Sequence, residues 1–158
     1  MQHSLQISRK IEYALRAMIY LASIPNERIA PLPEIASRMS TPEDFLAKIL
    51  KTLSDQGLVR STRGAHGGYQ IARPPREVSF LDVIEAVEGK ITVNLCLGED
   101  KDSCALTPSC TMLSVWKLGQ ERMLEVYRAA TLDTLIMKMP EFTARPGSGA
   151  SVSLPVIG

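Results

Sequence analysis

Cysteine and histidine are scarce in this chain. Its three cysteines all fall between positions 96 and 110, and its two histidines are His3 and His66. An odd, clustered set of thiols argues against a disulfide framework and for metal binding or redox sensing. No apolar run is long enough to span a bilayer, and the first residues lack the apolar core and cleavage site of a signal peptide, so a cytoplasmic location is expected. There is no C-x2-C-x2-C run of the ferredoxin type, no phosphate-binding P-loop and no Ser/His/Asp constellation, which counts against an electron carrier or an enzyme. No internal repeat is apparent. With 158 residues, 45% of them hydrophobic, one globular domain with an appended element is the expectation.

The net charge of +1 hides an asymmetry. Residues 1–76 hold 11 Lys and Arg against 6 Asp and Glu, net +5, whereas residues 77–158 hold 7 against 11, net −4. The basic half is the candidate for nucleic-acid contact. Within it, Ile11, Ala14, Leu15, Met18, Ile19 and Ala22 recur at helical spacing, with Ser8 placed to cap the helix and Pro25 to end it. A short helix over Leu32 to Arg38 and a tight turn at Met39–Ser40 follow. A third helix then runs from Thr41, read as the N-cap, to a stop at Gly57. Phe45, Leu46, Ile49, Leu50 and Leu53 are expected to face the core, leaving Lys48, Lys51 and Thr52 outward.

Two short helices joined by a tight turn form a helix-turn-helix. The runs LVRSTR and GYQIAR flank GAHGG as a hairpin with a basic tip, which makes the motif a winged one. Thr41, Glu43 and Lys48 are the expected contacts to base edges. Lys48 and Lys51 suit phosphates, and Arg60, Arg63 and His66 on the wing suit a minor groove or the backbone of double-stranded promoter DNA.

After Pro74-Pro75, Ser79 and Asp82 resemble a capping box opening a helix that bears Phe80, Leu81, Ile84 and Val87 and closes at Gly89. An extended piece, ITVNLC, leads to the cysteines, spaced C-x7-C-x5-C at Cys96, Cys104 and Cys110. Thiolates are soft ligands for iron–sulfur clusters or zinc, but three are one short of the usual four. Three ordinary thiols are the alternative. A long helix follows, with Leu113, Trp116, Gln120, Met123, Tyr127 and Ala130 at three- and four-residue steps. That seam is expected to pair with a second copy, giving a homodimer, with packing on the winged-helix domain of the same chain as the alternative. Thr131 can cap one more short helix, and residues 140–158 read as a flexible tail. The chain thus divides into a winged helix-turn-helix domain (1–76), a connecting helix and cysteine loop (77–110), a dimerisation helix with a short terminal helix (111–139), and the tail. The expected fold class is mainly α with a small β-wing.

The segments EYALRAMIYLA, LVRSTRGAHGGYQIAR and VSFLDVIEAVEG, with the cysteine loop ending CALTPSC, resemble the bacterial winged-helix regulators that include IscR, NsrR and RirA, the "Rrf-two" superfamily. The likeness covers roughly Leu5 to Met137. It implies a cytoplasmic homodimer that binds promoter DNA, most often as a repressor, under control of an iron–sulfur cluster on Cys96, Cys104 and Cys110. IscR-type members take a histidine shortly after the third cysteine, whereas here Thr111, Met112 and Leu113 follow it. NsrR-like members complete the site with a helix 1 carboxylate from the other subunit, and the matching residue here is Glu12. By that resemblance a 4Fe-4S cluster is favoured over 2Fe-2S, with nitric oxide, redox state or iron supply as the signal. Cluster-free relatives that sense thiol metabolites, and a zinc-stabilised DNA-binding protein, are the alternatives.

Overall fold

The computed structural model describes residues 7–98 and 104–137. The expected flexible tail, 140–158, lies outside the described residues, as do positions 99–103 of the cysteine loop.

Helix α1 (Arg9–Ser23) is the element around which the rest packs. Ser8 caps it by accepting a hydrogen bond from the Ile11 N–H. The expected stripe is buried at Ile11, Ala14, Leu15 and Met18, but Ala17, Tyr20 and Leu21 are buried as well. The helix is therefore covered on more than one side: α2 (Leu32–Met39), α3 (Glu43–Asp55), α4 (Phe80–Glu88) and α6 (Leu132–Met137) all lean on it. Tyr20, Arg28 and Glu34 fasten its end to α2. The Tyr20 hydroxyl donates to Glu34, whose carboxylate also pairs with Arg28 at 2.9 Å. Burial, then the Glu34 contact, push the Tyr20 phenol above its ordinary pKa.

Between α2 and α3 the chain turns through Ser40 in the left-handed region, at φ 50°. The start of α3 falls one residue later than the spacing suggests. Pro42, not Thr41, occupies the N-cap, and Thr41 is buried, its hydroxyl donating to the Met39 carbonyl at 3.2 Å. At the other end Gly57 adopts φ 72°. The Leu58 N–H reaches back to the Leu53 carbonyl and the Gly57 N–H to that of Ser54, a Schellman stop. Leu46, Ile49, Leu50 and Leu53 fill the core as expected. Phe45 does not: it is 43% exposed, its ring edge-on to Tyr13 at 5.8 Å.

The wing is an antiparallel pair, β1 (Val59–Thr62) and β2 (Gly68–Ile71), in register from Val59 opposite Ile71 to Thr62 opposite Gly68. Ala30 adds a third rung, exchanging both backbone hydrogen bonds with Tyr69 at 2.8 Å. This rung requires glycine beside it, because a Cβ on Gly68 would lie 2.3 Å from the Ala30 carbonyl oxygen. That oxygen is backbone and cannot swing aside, so relief means parting the rung. Gly68→Ala is expected to lower the melting temperature and loosen the wing, seen as faster hydrogen exchange at Ala30 and Tyr69. Unchanged exchange at both amides would show that the rung tolerates a Cβ.

The Ser79–Asp82 capping box forms with both reciprocal bonds and starts α4. The connection from α4 to the cysteines is irregular over 91–94 and ends in a short 3-10 turn over Leu95–Leu97, not the extended strand-like piece expected from ITVNLC. Position 76/77 is not an edge of the core either. Val78, Val83, Ile84, Val87 and Leu132 belong to the same buried cluster as α1–α3. Backbone bonds from Phe80 N–H to Ala130 and from Leu132 N–H to Val78 sew the last helix onto the connector. The reason is geometric. α1 is apolar over more than one face, and α2, α3 and the hairpin leave part of it open.

Candidate functional site

The helix-turn-helix presents α3 outward. Its buried positions 46, 49, 50 and 53 define one side, and at about 100° per residue the opposite side carries Asp44, Lys48, Lys51 and Asp55, all exposed. Lys51 is paired with Asp55 at 2.8 Å. Asp44 and Lys48 carry no ion pair among the described residues. Glu43 is exposed on the flank, and buried Thr41 is turned away from this face. Arg60, Arg63 and His66 are exposed on the wing. Of the three residues expected at base edges, Lys48 lies on this face, Glu43 beside it and Thr41 beneath it, and Asp44 was not among them. The phase of the buried leucines and isoleucines alone carries the signal for Asp44.

The three cysteines share one connection between α4 and α5 (Leu113–Ala129). Cys96 sits in the Leu95–Leu97 turn, half-buried. Cys104 is exposed, and half-buried Cys110 ends a second 3-10 turn over Thr107–Ser109. All three thiols are free. The Val93 N–H, three residues before Cys96, donates to Gln120 Oε1 of α5 at 3.0 Å, which ties the approach to the loop onto that helix. Among the described residues no group of three or more His, Cys, Asp or Glu side chains is gathered to hold a metal ion. The donors fit an iron–sulfur cluster in kind: three free thiols on one connection, none consumed in a disulfide.

Glu12 lies on the outer side of α1, with 48% of its side chain exposed, and pairs with Arg16 one turn on. Arg16 is shared. Its Nη1 donates to the Met39 carbonyl at 3.3 Å, at the turn into α3, and its guanidinium lies 6.0 Å from the centre of the Tyr13 ring. A carboxylate on α1 is thus two contacts from the helix-turn-helix corner.

Helix α5 is about 25 Å long and has no fully buried residue. Part of its expected dimer seam is used within the chain. Tyr127 packs against Phe80 at 5.1 Å between ring centres, and Leu113 and Met123 are half-buried, while Trp116 is 36% exposed. A second apolar strip faces outward, with Met112, Val115, Leu118 and Val126 each more than half exposed.

The family Rrf2, described as "Iron-dependent Transcriptional regulator", matches residues 7–138. The chain belongs to the Rrf2 family. Among its relatives, the HTH-type transcriptional regulator NsrR of Geobacillus kaustophilus is 30% identical over 84% of this chain and 90% of its own. Protein aau3 of Rhizobium meliloti is 30% identical over 87% and 88%. Among solved structures, CymR, the global cysteine regulator of B. subtilis, superposes with a TM-score of 0.69 at 30% identity, over 87% of this chain and all of that one. IscR of T. potens gives 0.68 at 30% identity, over 91% and 95%. The α2–α3 pair and the β1–β2 hairpin are accordingly the helix-turn-helix and wing of an Rrf2 transcriptional regulator, a DNA-binding protein and not an enzyme. No helix among its described residues is long and apolar enough to cross a membrane.

Proposed function

We propose that this Rrf2 chain is a homodimeric transcriptional repressor whose promoter affinity is set by an iron–sulfur cluster. Cys96, Cys104 and Cys110 would hold the cluster, with Glu12 of a second copy completing it. The observation that carries the reading is the grouping of three free thiols on one connection anchored to α5, in a chain where a carboxylate contact to the helix-turn-helix corner runs from Glu12 through Arg16 to Met39. When bound, the cluster supplies a centre that reacts with nitric oxide or oxidants and is lost when iron is short; the ligand set favours the 4Fe-4S form. The chain's own residues do the rest. Arg16 stands between Glu12 and the Met39 carbonyl, so drawing Glu12 into a ligand set frees the guanidinium to bear on the turn that aims α3. Releasing Glu12 returns Arg16 to its ion pair. A carboxylate contributed from a second copy would couple the thiol loop to the placement of two reading helices, one DNA turn of about 34 Å apart. The outward strip of Met112, Val115, Leu118 and Val126, with the exposed edge at Trp116, is the surface a second copy would cover. The setting is the cytoplasm, where thiols stay reduced.

Anaerobic purification, an absorbance spectrum with iron analysis, nitric-oxide titration and a promoter gel shift on the same sample test the reading. Coloured, iron-bearing protein that releases DNA on titration is the expected result. Glu12→Ala is expected to keep the fold and lose cluster stability, shown by faster bleaching. Unchanged bleaching and unchanged response would remove Glu12 from the ligand set. A second reading has the likeness to the CymR structure in its favour: a cluster-free regulator sensing a thiol metabolite. Colourless, iron-free protein with intact DNA binding decides for that reading, and zinc in the metal analysis decides for a zinc-stabilised one.

A further inference from the structure

We infer that Asp44 is a specificity-determining residue of this regulator, a carboxylate that selects a cytosine in the major groove. The inference rests on the DNA-binding role of α3 and extends it to a residue that helical phase alone brings forward.

Four charged side chains form the outward strip of α3, and they are not equivalent. Lys51 and Asp55 neutralise each other at 2.8 Å, at the end of the helix away from the turn. Asp44 and Lys48 lie in its first half, where helix-turn-helix proteins reach base edges, and both are exposed with no ion pair among the described residues. Asp44 sits near the centre of the strip, while Glu43 is displaced by about 100° onto the flank. A free carboxylate at that point is repelled by the phosphates on both sides of a groove. The repulsion is offset only where the oxygens meet a donor on the groove floor, and the pairing suited to Asp or Glu is the N4 amino group of cytosine. Guanine N7 and O6 and thymine O4 present only acceptors in this groove, so the same charge excludes G and T at that position. Lys48 lies one turn on, about 6 Å along the helix and on the same side, placed to reach guanine O6 and N7 within about two base steps. Stabilisation of the helix N-terminus is the other task open to Asp44. Glu43 supplies a charge of the same sign in the same turn.

The full chain, purified anaerobically, is used to select sequences from randomised double-stranded DNA, and gel shifts are then run on the selected site and its single-base variants. The wild-type protein is expected to prefer cytosine at one position of each half-site, with about tenfold or greater loss for guanine or thymine. Asp44→Ala should abolish that preference without changing the slope of log affinity against log salt, since no phosphate contact is lost. Asp44→Asn should move the preference toward adenine, the partner of an amide. Lys48→Ala should relax a neighbouring guanine. Melting temperatures of the Asp44 variants should stay close to wild type. Uniformly tighter binding of Asp44→Asn to every sequence, or the same selected site with Asp44→Ala, overturns the assignment and leaves DNA binding standing. Failure of the wild-type protein to enrich any sequence overturns both.

Discussion

Cys104→Ser is expected to give folded, colourless protein that binds promoter DNA more weakly than the wild type. Cys104 is the most informative of the three thiols to change because it is exposed, so its replacement removes little packing and the stability of the fold should change by no more than for an ordinary surface substitution, about 0.5 kcal/mol. A serine hydroxyl remains protonated at neutral pH and is a poor soft donor, so a set already one thiolate short loses a third of its sulfur. The iron content and the visible absorbance should both fall to background. If cluster loss releases the operator, affinity should drop by a factor between about 5 and 150, the span of couplings of 1–3 kcal/mol. The same substitution in Cys96 or Cys110 should remove the colour as well, with a larger effect on stability because both are half-buried. Retained iron and absorbance in Cys104→Ser would take Cys104 out of the site, and wild-type affinity in the colourless variant would separate the thiols from DNA control.

The second large effect concerns stability. Leu132, fully buried at the start of α6, packs into the cluster built on α1 and is held there by the backbone bond from its N–H to Val78. Leu132→Ala is expected to cost about 2–5 kcal/mol, a large fraction of the 5–15 kcal/mol typical of a domain. Because α1 is shared, the loss should appear in the single unfolding transition that also melts α2 and α3, and DNA binding should fail at the same denaturant concentration. Met137, 82% exposed on the same helix, is the control, and its alanine variant should unfold with the wild type. A separate early transition that frees α6 and leaves the DNA-binding helices intact would show that the two parts do not share one core.

Local rules are why much of this chain reads correctly in one dimension. Ser8, the Ser79–Asp82 box and Gly57 act within one helical turn of themselves, so their roles depend on neighbours visible in the sequence. The buried phase of α3 follows from periodicity at Leu46, Ile49, Leu50 and Leu53, and the wing from its glycines between two β-prone runs. Other features needed the packed molecule. Phe45 has the composition of a core residue and is exposed, because the nearest partner left to it is the edge of Tyr13. Thr41 is buried, its hydroxyl held by the Met39 carbonyl across the turn at Ser40, a contact that helical periodicity does not announce.

Sequence by itself determined the winged helix-turn-helix order, the three-thiol loop and membership of a regulator family, because each is written in short-range spacing. Tertiary structure decided that residues beyond 76 close the core over α1, that Tyr127 is spent on Phe80 while another face of α5 stays open, and that Arg16 joins Glu12 to the helix-turn-helix corner. Those are contacts between residues far apart in the chain. Which of two apolar faces is covered, and which of two acceptors an arginine reaches, depends on distances that no periodicity encodes.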